Sequence, residues 1–292
     1  MLSRVSSIAP RAAPMIRTDV ERFAMLAPLP VTTPTQIATK GAHLAKGIVR
    51  DGPLYPARRA RPGTERSPAG ALADLGFAPE EIESYERDYE QIAAEAFALL
   101  LERARVVGAD GAVKKLSQPE LAAHETKRLI YLAVRLVRPE SVVETGTFAG
   151  TLSTFILLGL RDNGKGRLLS LDLPARKPIP HAADIPLPPR REPGWIVPDD
   201  LRDRFELVLG DARRTLPPVL ERLGTIDLFL HDSLHTTRHM LFEYRQAWAS
   251  LRPGGLLVTD DAFMTPAFWW FTRRRAAPLR HIGAMGLTRK PA

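Results

Sequence analysis

The chain of 292 residues contains no cysteine, only 7% aromatic residues and no long apolar run. Without cysteine it forms no disulfide, thiolate metal site or catalytic thiol, so any metal must be bound by oxygen or imidazole. No stretch approaches the roughly 20 apolar residues of a membrane-spanning helix, and residues 1–30 lack the apolar core of a secretory signal. We therefore expect a cytoplasmic location.

Basic charge is concentrated at the two ends of the chain, whose net charge is +8. Residues 1–70 contain 11 basic and 4 acidic residues, and residues 273–292 contain 6 basic residues and no acidic one. The intervening part is therefore mildly acidic. Basic termini suit anionic lipid or nucleic acid, but a solvated arm explains them as well. We expect a solvated arm, keep peripheral membrane contact as its alternative, and do not expect nucleic acid as a partner.

Composition and hydrophobic pattern divide the chain into three parts. Residues 1–70 hold 9 of the 26 prolines and predict a Pro/Arg-rich, partly disordered arm. Residues 71–138 predict a helical cap, whose second helix is capped by Ser117 and ends before Pro139. Residues 139–292 alternate short β-branched runs with helical stretches.

This alternation predicts an α/β fold with a doubly wound, mostly parallel sheet, which binds its ligands outside the carboxyl ends of the strands. The predicted strands are 141–145, 167–172, 205–209, 226–232 and 255–260, and the helices between them are 151–161, 211–223 and 235–251. The Pro-rich loop 173–204 lies at the same edge, and a loop of this length predicts a substrate lid, with Trp195 as its apolar contact.

Polar residues end the first three predicted strands. Gly146 and Gly150 bracket a turn after strand one, where glycine lets the backbone approach a ligand closely. Glu144, Asp172 and Asp211 stand at successive strand ends, where a carboxylate can accept hydrogen bonds from ribose hydroxyls. Taken singly, each aspartate could be a helix cap, and for Asp211 that explanation is equally good.

The stretch "LHDSLHTTRH" at residues 230–239 groups an aspartate, a serine and histidines. A serine hydrolase would need a G-x-S-x-G turn, which is absent here. A zinc pair at His231 and His235 would need one helix, yet Leu228 to Leu230 read as strand. We therefore expect the end of strand four, with His231 facing away from Asp232 in a structural hydrogen-bonding role.

Five segments of the chain, in this order, carry a resemblance to a known family: "VVETGTFAGTLSTFIL", "LLSLDLP", "GWIVPDDLRDRFELVLGDARRTLP", "IDLFLHDSLHTTRHMLFEY" and "LRPGGLLVTDDAF". They resemble class I S-adenosylmethionine-dependent methyltransferases, above all a bacterial group with H-D-S-x-H at strand four and D-D at strand five. The resemblance covers about residues 118–272 and implies the Rossmann-like fold of that family. The implied cofactor-binding residues are Glu144, Thr145, Gly146, Gly150, Ser153, Asp172 near the ribose and Asp211 near the adenine.

The resemblance also implies a metal and a base. In metal-dependent O-methyltransferases, acids at the ends of strands four and five hold magnesium, and here Asp232, Asp260 and Asp261 match them. Asp261 could instead cap the next helix. Asp232 and His235 match the catalytic positions, with His235 as the base. An aliphatic hydroxyl with a pKa of about 15.7 lies about 9 units above an ordinary histidine, a gap of about 12 kcal/mol. Histidine alone is therefore a poor base, and either a metal lowers the acceptor's pKa or proton removal follows methyl transfer.

The expected function is O-methylation of a small-molecule hydroxyl, on a sugar or natural-product-like acceptor. A nucleic-acid amine acceptor is disfavoured because residues 232–235 read D-S-L-H rather than the N/D-P-P-Y/F of such enzymes. Two alternatives remain open: a metal-dependent hydroxylase of the cephalosporin-hydroxylase type, and a noncatalytic binding protein on the same fold. The aromatic run 268–271 cannot be buried on one helical face, so it suggests an acceptor pocket or a homodimer contact, and residues after it predict a shortened terminal hairpin.

Overall fold

The computed structural model describes residues 67–106, 124–174 and 191–291. The predicted arm up to residue 66, the Ser117 cap and the central part of the Pro-rich loop lie outside these residues. No helix in the described ranges combines the length and apolar character needed to cross a bilayer.

Seven strands form one sheet in the order β3-β2-β1-β4-β5-β7-β6. The strands are β1 (Ser141–Thr145), β2 (Arg167–Asp172), β3 (Phe205–Leu209), β4 (Ile226–His231), β5 (Leu251–Thr259), β6 (Arg280–Ile282) and β7 (Met285–Arg289). The first five pair in parallel, and β7 runs antiparallel to β5 and β6. This confirms the predicted mostly parallel sheet and the short terminal hairpin.

Helices connect these strands and precede them. They are α1 (Pro68–Ala73), α2 (Pro79–Val106), α3 (His124–Val137), α4 (Thr151–Asp162), α5 (Ala212–Leu223), α6 (Thr237–Ser250) and α7 (Ala267–Arg274), with a 3₁₀ helix at Asp199–Arg204. The three predicted crossover helices correspond to α4, α5 and α6. Each of them runs back from the carboxyl end of one strand to the amino end of the next.

Two hydrophobic cores cover the two faces of the sheet. Successive strand residues point to opposite faces; Val142 accordingly packs with α1 to α4, and Val143 packs with α5 to α7. In β4, Leu228 and Leu230 face the first core, and Phe229 faces the second. The helices predicted as a cap therefore share their core with the sheet.

The aromatic run in α7 is divided as helix periodicity requires. Phe268 and Phe271 are buried in the second core, and Trp269 and Trp270 are partly exposed. This confirms that one helical face does not bury all four rings.

Candidate active site

The carboxyl ends of β1, β4 and β5 bring three segments together. The backbone hydrogen bonds continue one step past the strands: Asp232 N donates to Thr145 O at 2.8 Å, and Asp260 N donates to His231 O at 2.8 Å. Because His231 and Thr259 are register partners, Asp232 and Asp260 leave the sheet side by side. The sequence placed both residues at this edge, and the structure agrees.

The glycine turn after β1 requires glycine for reasons that lie within the protein. Gly146 has a φ of +89°, and a Cβ there would lie 2.0 Å from the backbone oxygen of Asp232. Gly150 has a φ of +95°, and its Cβ would lie 2.7 Å from Val197 and 2.9 Å from Gly194. Neighbouring protein segments therefore require glycine at both positions, and the approach of a ligand to this turn stays a prediction.

The last part of the Pro-rich loop is hydrogen-bonded to this turn and packs against it. Gly194 N donates to Phe148 O at 2.7 Å, and Ile196 N donates to Ala149 O at 3.2 Å. Trp195 is buried in the first core with its ring edge-on to Phe148, at 5.7 Å between centroids. The apolar contact predicted for Trp195 is therefore made with the turn after β1, and its part in a lid stays a prediction.

Glu144 links β1 to its neighbours from a fully buried position. Its Oε2 accepts hydrogen bonds from Ser153 Oγ at 2.6 Å and from Ser170 Oγ at 2.5 Å. Its Oε1 is buried without a hydrogen-bond partner. Burial raises the pKa of Glu144 to about 7. The two predicted site residues Glu144 and Ser153 are thus bonded to each other.

The next two strand ends carry the other predicted acids. Asp172 accepts hydrogen bonds from Phe148 N at 2.7 Å and from Leu173 N at 2.6 Å. Burial raises its pKa, although these backbone donors oppose the shift. Asp211 is exposed and caps α5 by accepting from Arg213 N at 2.9 Å. Leu173 and Leu209, beside these acids, are exposed apolar side chains.

The buried carboxylate of Glu243, on α6, gathers four hydrogen-bond donors. Its Oε2 accepts from Thr145 Oγ1 and is bonded to His231 Nδ1, both at 2.6 Å. Its Oε1 accepts from Ser233 Oγ at 2.9 Å and is bonded to His239 Nε2 at 2.7 Å. Burial would raise the pKa of Glu243, but the two imidazoles and their hydrogen bonds hold it below its ordinary value.

This network confirms the structural role expected for His231 and shows two residues that the sequence analysis missed. Glu243 and His239 follow "LHDSLHTT" on α6, where Glu243 shares the buried face of Met240, Tyr244 and Ala247. A carboxylate on an otherwise apolar helix face was the available signal. The hydroxyl of Thr145, predicted to serve the cofactor, is bonded to Glu243 instead.

Asp232, His235 and Asp260 form the one cluster within the described residues that could hold a metal ion. Each offers a ligand atom within 4.8 Å of the others. His235 Nε2 is buried without a hydrogen-bond partner and lies 3.9 Å from Asp232 Oδ1. Burial and the neighbouring His231 lower the pKa of His235 to about 4, so its imidazole is neutral at pH 7.

The composition of this cluster differs from the predicted metal set. Asp261 was expected beside Asp232 and Asp260, but it adopts a φ of +45° in the turn after β5 and is not part of the cluster. His235, expected as a base and as a metal ligand only in the hydroxylase alternative, takes that place.

Comparison with known proteins gives one family match. Residues 143–262 match Methyltransf_24, a family of methyltransferase domains. No curated protein matches the sequence of this chain. The match covers the stretch from β1 to the turn after β5 and supports the predicted methyltransferase activity.

Among the solved structures with a similar architecture are three methyltransferases. The O-methyltransferase TomG from Streptomyces achromogenes is 17% identical and covers 68% of this chain and 90% of its own, with a TM-score of 0.47. An O-methyltransferase from Bacillus cereus is 16% identical over 72% and 100%, with a TM-score of 0.45. The Podospora anserina methyltransferase PaMTH1 is 14% identical over 71% and 97%, with a TM-score of 0.45. Structural similarity at this level does not bear on activity. The proposed activity depends on the family match and on the site.

Proposed function

We propose that this protein is an S-adenosylmethionine-dependent O-methyltransferase that acts on a hydroxyl group of a small molecule, such as a sugar or natural-product-like acceptor. The observation that carries the proposal is the Asp232, His235 and Asp260 cluster. It stands at the carboxyl edge of the sheet, next to the glycine turn, within the stretch that matches methyltransferase domains.

The groups at the first three strand ends fit the cofactor, which supplies an electrophilic methyl group when bound. Asp172 accepts backbone hydrogen bonds at both carboxylate oxygens and can accept a further one from a ribose hydroxyl. The exposed side chains of Leu173 and Leu209 offer an apolar surface for the adenine, near Asp211. The unpartnered Oε1 of Glu144 can accept a hydrogen bond from an amino group.

The low pKa of His235 favours a metal-ligand role over a role as sole base. An aliphatic hydroxyl has a pKa of about 15.7, and His235 lies near 4, a gap of about 12 units or about 16 kcal/mol. A divalent cation would lower the acceptor's pKa and remove much of this gap. We therefore propose that His235 binds the cation together with Asp232 and Asp260, in the place predicted for Asp261.

The types of ligand atom in this cluster also indicate which metal ions it suits. Two carboxylates suit Mg²⁺, which was the ion expected from the sequence, whereas an imidazole widens the choice to Mn²⁺, Fe²⁺ and Zn²⁺. A melting-shift screen with S-adenosylmethionine or S-adenosylhomocysteine, with and without each cation, tests both ligands. The proposal fails if neither cofactor form raises the melting temperature.

Calorimetry on variants separates cofactor binding from acceptor activation. Asp172→Ala and Asp211→Ala should each weaken S-adenosylhomocysteine binding, by about tenfold or more if a charge-assisted hydrogen bond is lost. Asp232→Asn and His235→Ala should leave that affinity unchanged and abolish the thermal shift produced by the cation. Unchanged affinity in both Asp172→Ala and Asp211→Ala would refute the cofactor assignments.

One observation also favours a second candidate. Two carboxylates and one imidazole form a set that suits Fe(II), so a metal-dependent hydroxylase of the cephalosporin-hydroxylase type remains the alternative. Consumption of 2-oxoglutarate with Fe(II), without any binding of S-adenosylmethionine, would establish it in place of methyl transfer. The cytoplasmic location, the homodimer and the role of residues 1–70 stay predictions from the sequence.

A further inference from the structure

A group of cations lies on the carboxyl-terminal half of α6, at the carboxyl end of α7 and directly after β7. We call it the α6–α7 basic face and define it as Arg245, Arg273, Arg274, Arg275 and Lys290. In the part of the chain that the structure describes, no acidic side chain forms an ion pair with any of them. The sequence explains this, because residues 262–292 contain no acidic residue and the acid of α6, Glu243, is buried.

This face lies at the opposite edge of the sheet from the candidate active site. α6 runs from the carboxyl end of β4 to the amino end of β5, and α7 runs from the carboxyl end of β5 to the start of β6. Lys290 follows β7 and donates to the backbone oxygens of Trp248 and Leu251, which fixes it at this edge. A partner bound here would leave the carboxyl ends of the strands open.

Tryptophan rings lie among these cations. Arg273 stands over the ring of Trp269 at 5.2 Å, and Arg275 and Lys290 stand over Trp248 at 6.0 and 5.9 Å. Both rings are partly exposed. The cations also repel one another. The pKa of Arg275 is lowered mainly by burial and secondly by Arg245, and the pKa of Lys290 is lowered mainly by burial and secondly by Arg275.

We propose that the α6–α7 basic face docks the protein peripherally on an anionic lipid surface. Partly exposed tryptophan beside arginine and lysine is the combination found where protein meets the membrane–water interface, since each has an apolar body and a polar end. Phosphate headgroups would relieve the repulsion among the unpaired cations. A single-stranded nucleic acid fits less well, because cations of the protein already cover a face of Trp248 and Trp269 that a base would need for stacking.

Flotation of the full chain with vesicles tests the proposal. The variant replaces the three exposed, unpaired arginines together: Arg245→Gln, Arg273→Gln and Arg274→Gln. The wild type should float with phosphatidylglycerol-containing vesicles and not with pure phosphatidylcholine. At roughly 1 kcal/mol per cation, the triple variant should bind about 100-fold more weakly, equivalent to about 3 kcal/mol at 1.4 kcal/mol per factor of ten. Raising the salt from about 0.1 M to about 1 M should release the wild type, because the screening length falls from about 10 to about 3 Å.

A matched control separates this surface from the effect of net charge. Arg87→Gln, Arg105→Gln and Arg161→Gln together change the net charge equally, but they lie exposed on α2 and α4, in the other helix layer. This variant should bind vesicles within a factor of about three of the wild type, because the replaced charges lie on the other side of the sheet from the α6–α7 basic face. Equal losses in the two triple variants would assign binding to overall charge or to the basic arm and overturn the proposal. The proposal would also be overturned if the wild type did not bind phosphatidylglycerol-containing vesicles but did bind single-stranded DNA, and the first triple variant lost that DNA binding.

Discussion

Glu243→Gln is the substitution that tests the buried network most directly. It keeps the shape of the side chain and replaces one carboxylate oxygen by an amide N–H. Glu243 is fully buried and receives four hydrogen bonds of 2.6 to 2.9 Å, two at each oxygen. Whichever oxygen is replaced, one hydroxyl and one imidazole then face a donor. The hydroxyl can rotate and accept, but the imidazole must change its tautomer or lose its partner.

The expected loss of stability follows from the two bonds affected. A hydrogen bond to a charged group contributes about 1.5–3 kcal/mol, so weakening one such bond and losing another corresponds to at most about 3–6 kcal/mol. Removing one partner from a buried charged network costs about 3–5 kcal/mol in general. We therefore expect Glu243→Gln to lower the free energy of unfolding by about 4 kcal/mol, a large part of the 5–15 kcal/mol typical of a domain.

Urea unfolding at pH 7 measures this difference. Glu221→Gln, an exposed position on α5, is the control and should change stability by less than about 0.5 kcal/mol. Because the pKa of Glu243 is held below its ordinary value, its contribution is fully present above about pH 4.5 and is lost as the pH falls below that. The difference between wild type and variant should therefore shrink in acid. A loss below about 1 kcal/mol at pH 7 would refute the reasoning that all four donors depend on the carboxylate.

Two further predictions concern the turn and the candidate ligand. Gly146→Ala should lower stability by about 3 kcal/mol or more, because its Cβ would meet the Asp232 backbone at 2.0 Å. Gly164→Ala has a similar φ of +70° with open space around it, so it should cost only about 1 kcal/mol, and equal melting shifts for the two would contradict the clash. The pKa of His235 is lowered to about 4, so the unfolded chain takes up a proton near pH 6.5 and the folded chain does not. Wild-type stability should fall relative to His235→Gln by on the order of 3 kcal/mol between pH 6.5 and 4, and parallel urea midpoints for the two proteins across that range would refute it.

The sequence predicts the strands well where a β-branched run stands between clear turns. β1, β2 and β3 have the predicted bounds because each run is short, apolar and flanked by polar or glycine-rich segments. The start of β5 was missed, since Pro253 and Gly254 read as a turn. In the structure Leu251 still pairs with Ile226, and the register shifts before Leu228 pairs with Leu256. A pairing that tolerates a bulge is decided by the neighbouring strand, which local sequence does not show.

In the candidate site, too, the sequence predicts some features and not others. Alternation along β4 was enough to place His231 and Asp232 on opposite faces. Whether Asp261 or His235 joins Asp232 and Asp260 depends on a left-handed turn residue at φ +45°, a conformation that aspartate tolerates but does not specify. The apolar helix face around Glu243 signals its burial but not its hydrogen-bond partners. A lone glutamate on a helix ordinarily faces solvent, and only the packing of α6 against β1 and β4 brings four donors to it.

The two sets of polar side chains in residues 231–239 are physically linked through Asp232. His231 and Ser233, on either side of it, are both bonded to Glu243, and its own backbone N–H donates to Thr145, whose hydroxyl is bonded to Glu243 as well. One buried carboxylate thus restrains the backbone of Asp232 from three directions. Metal ligands bind tightly only when surrounding hydrogen bonds fix their orientation beforehand. The histidine-rich stretch therefore combines the proposed metal ligands, Asp232 and His235, with the hydrogen bonds that hold Asp232 beside Asp260.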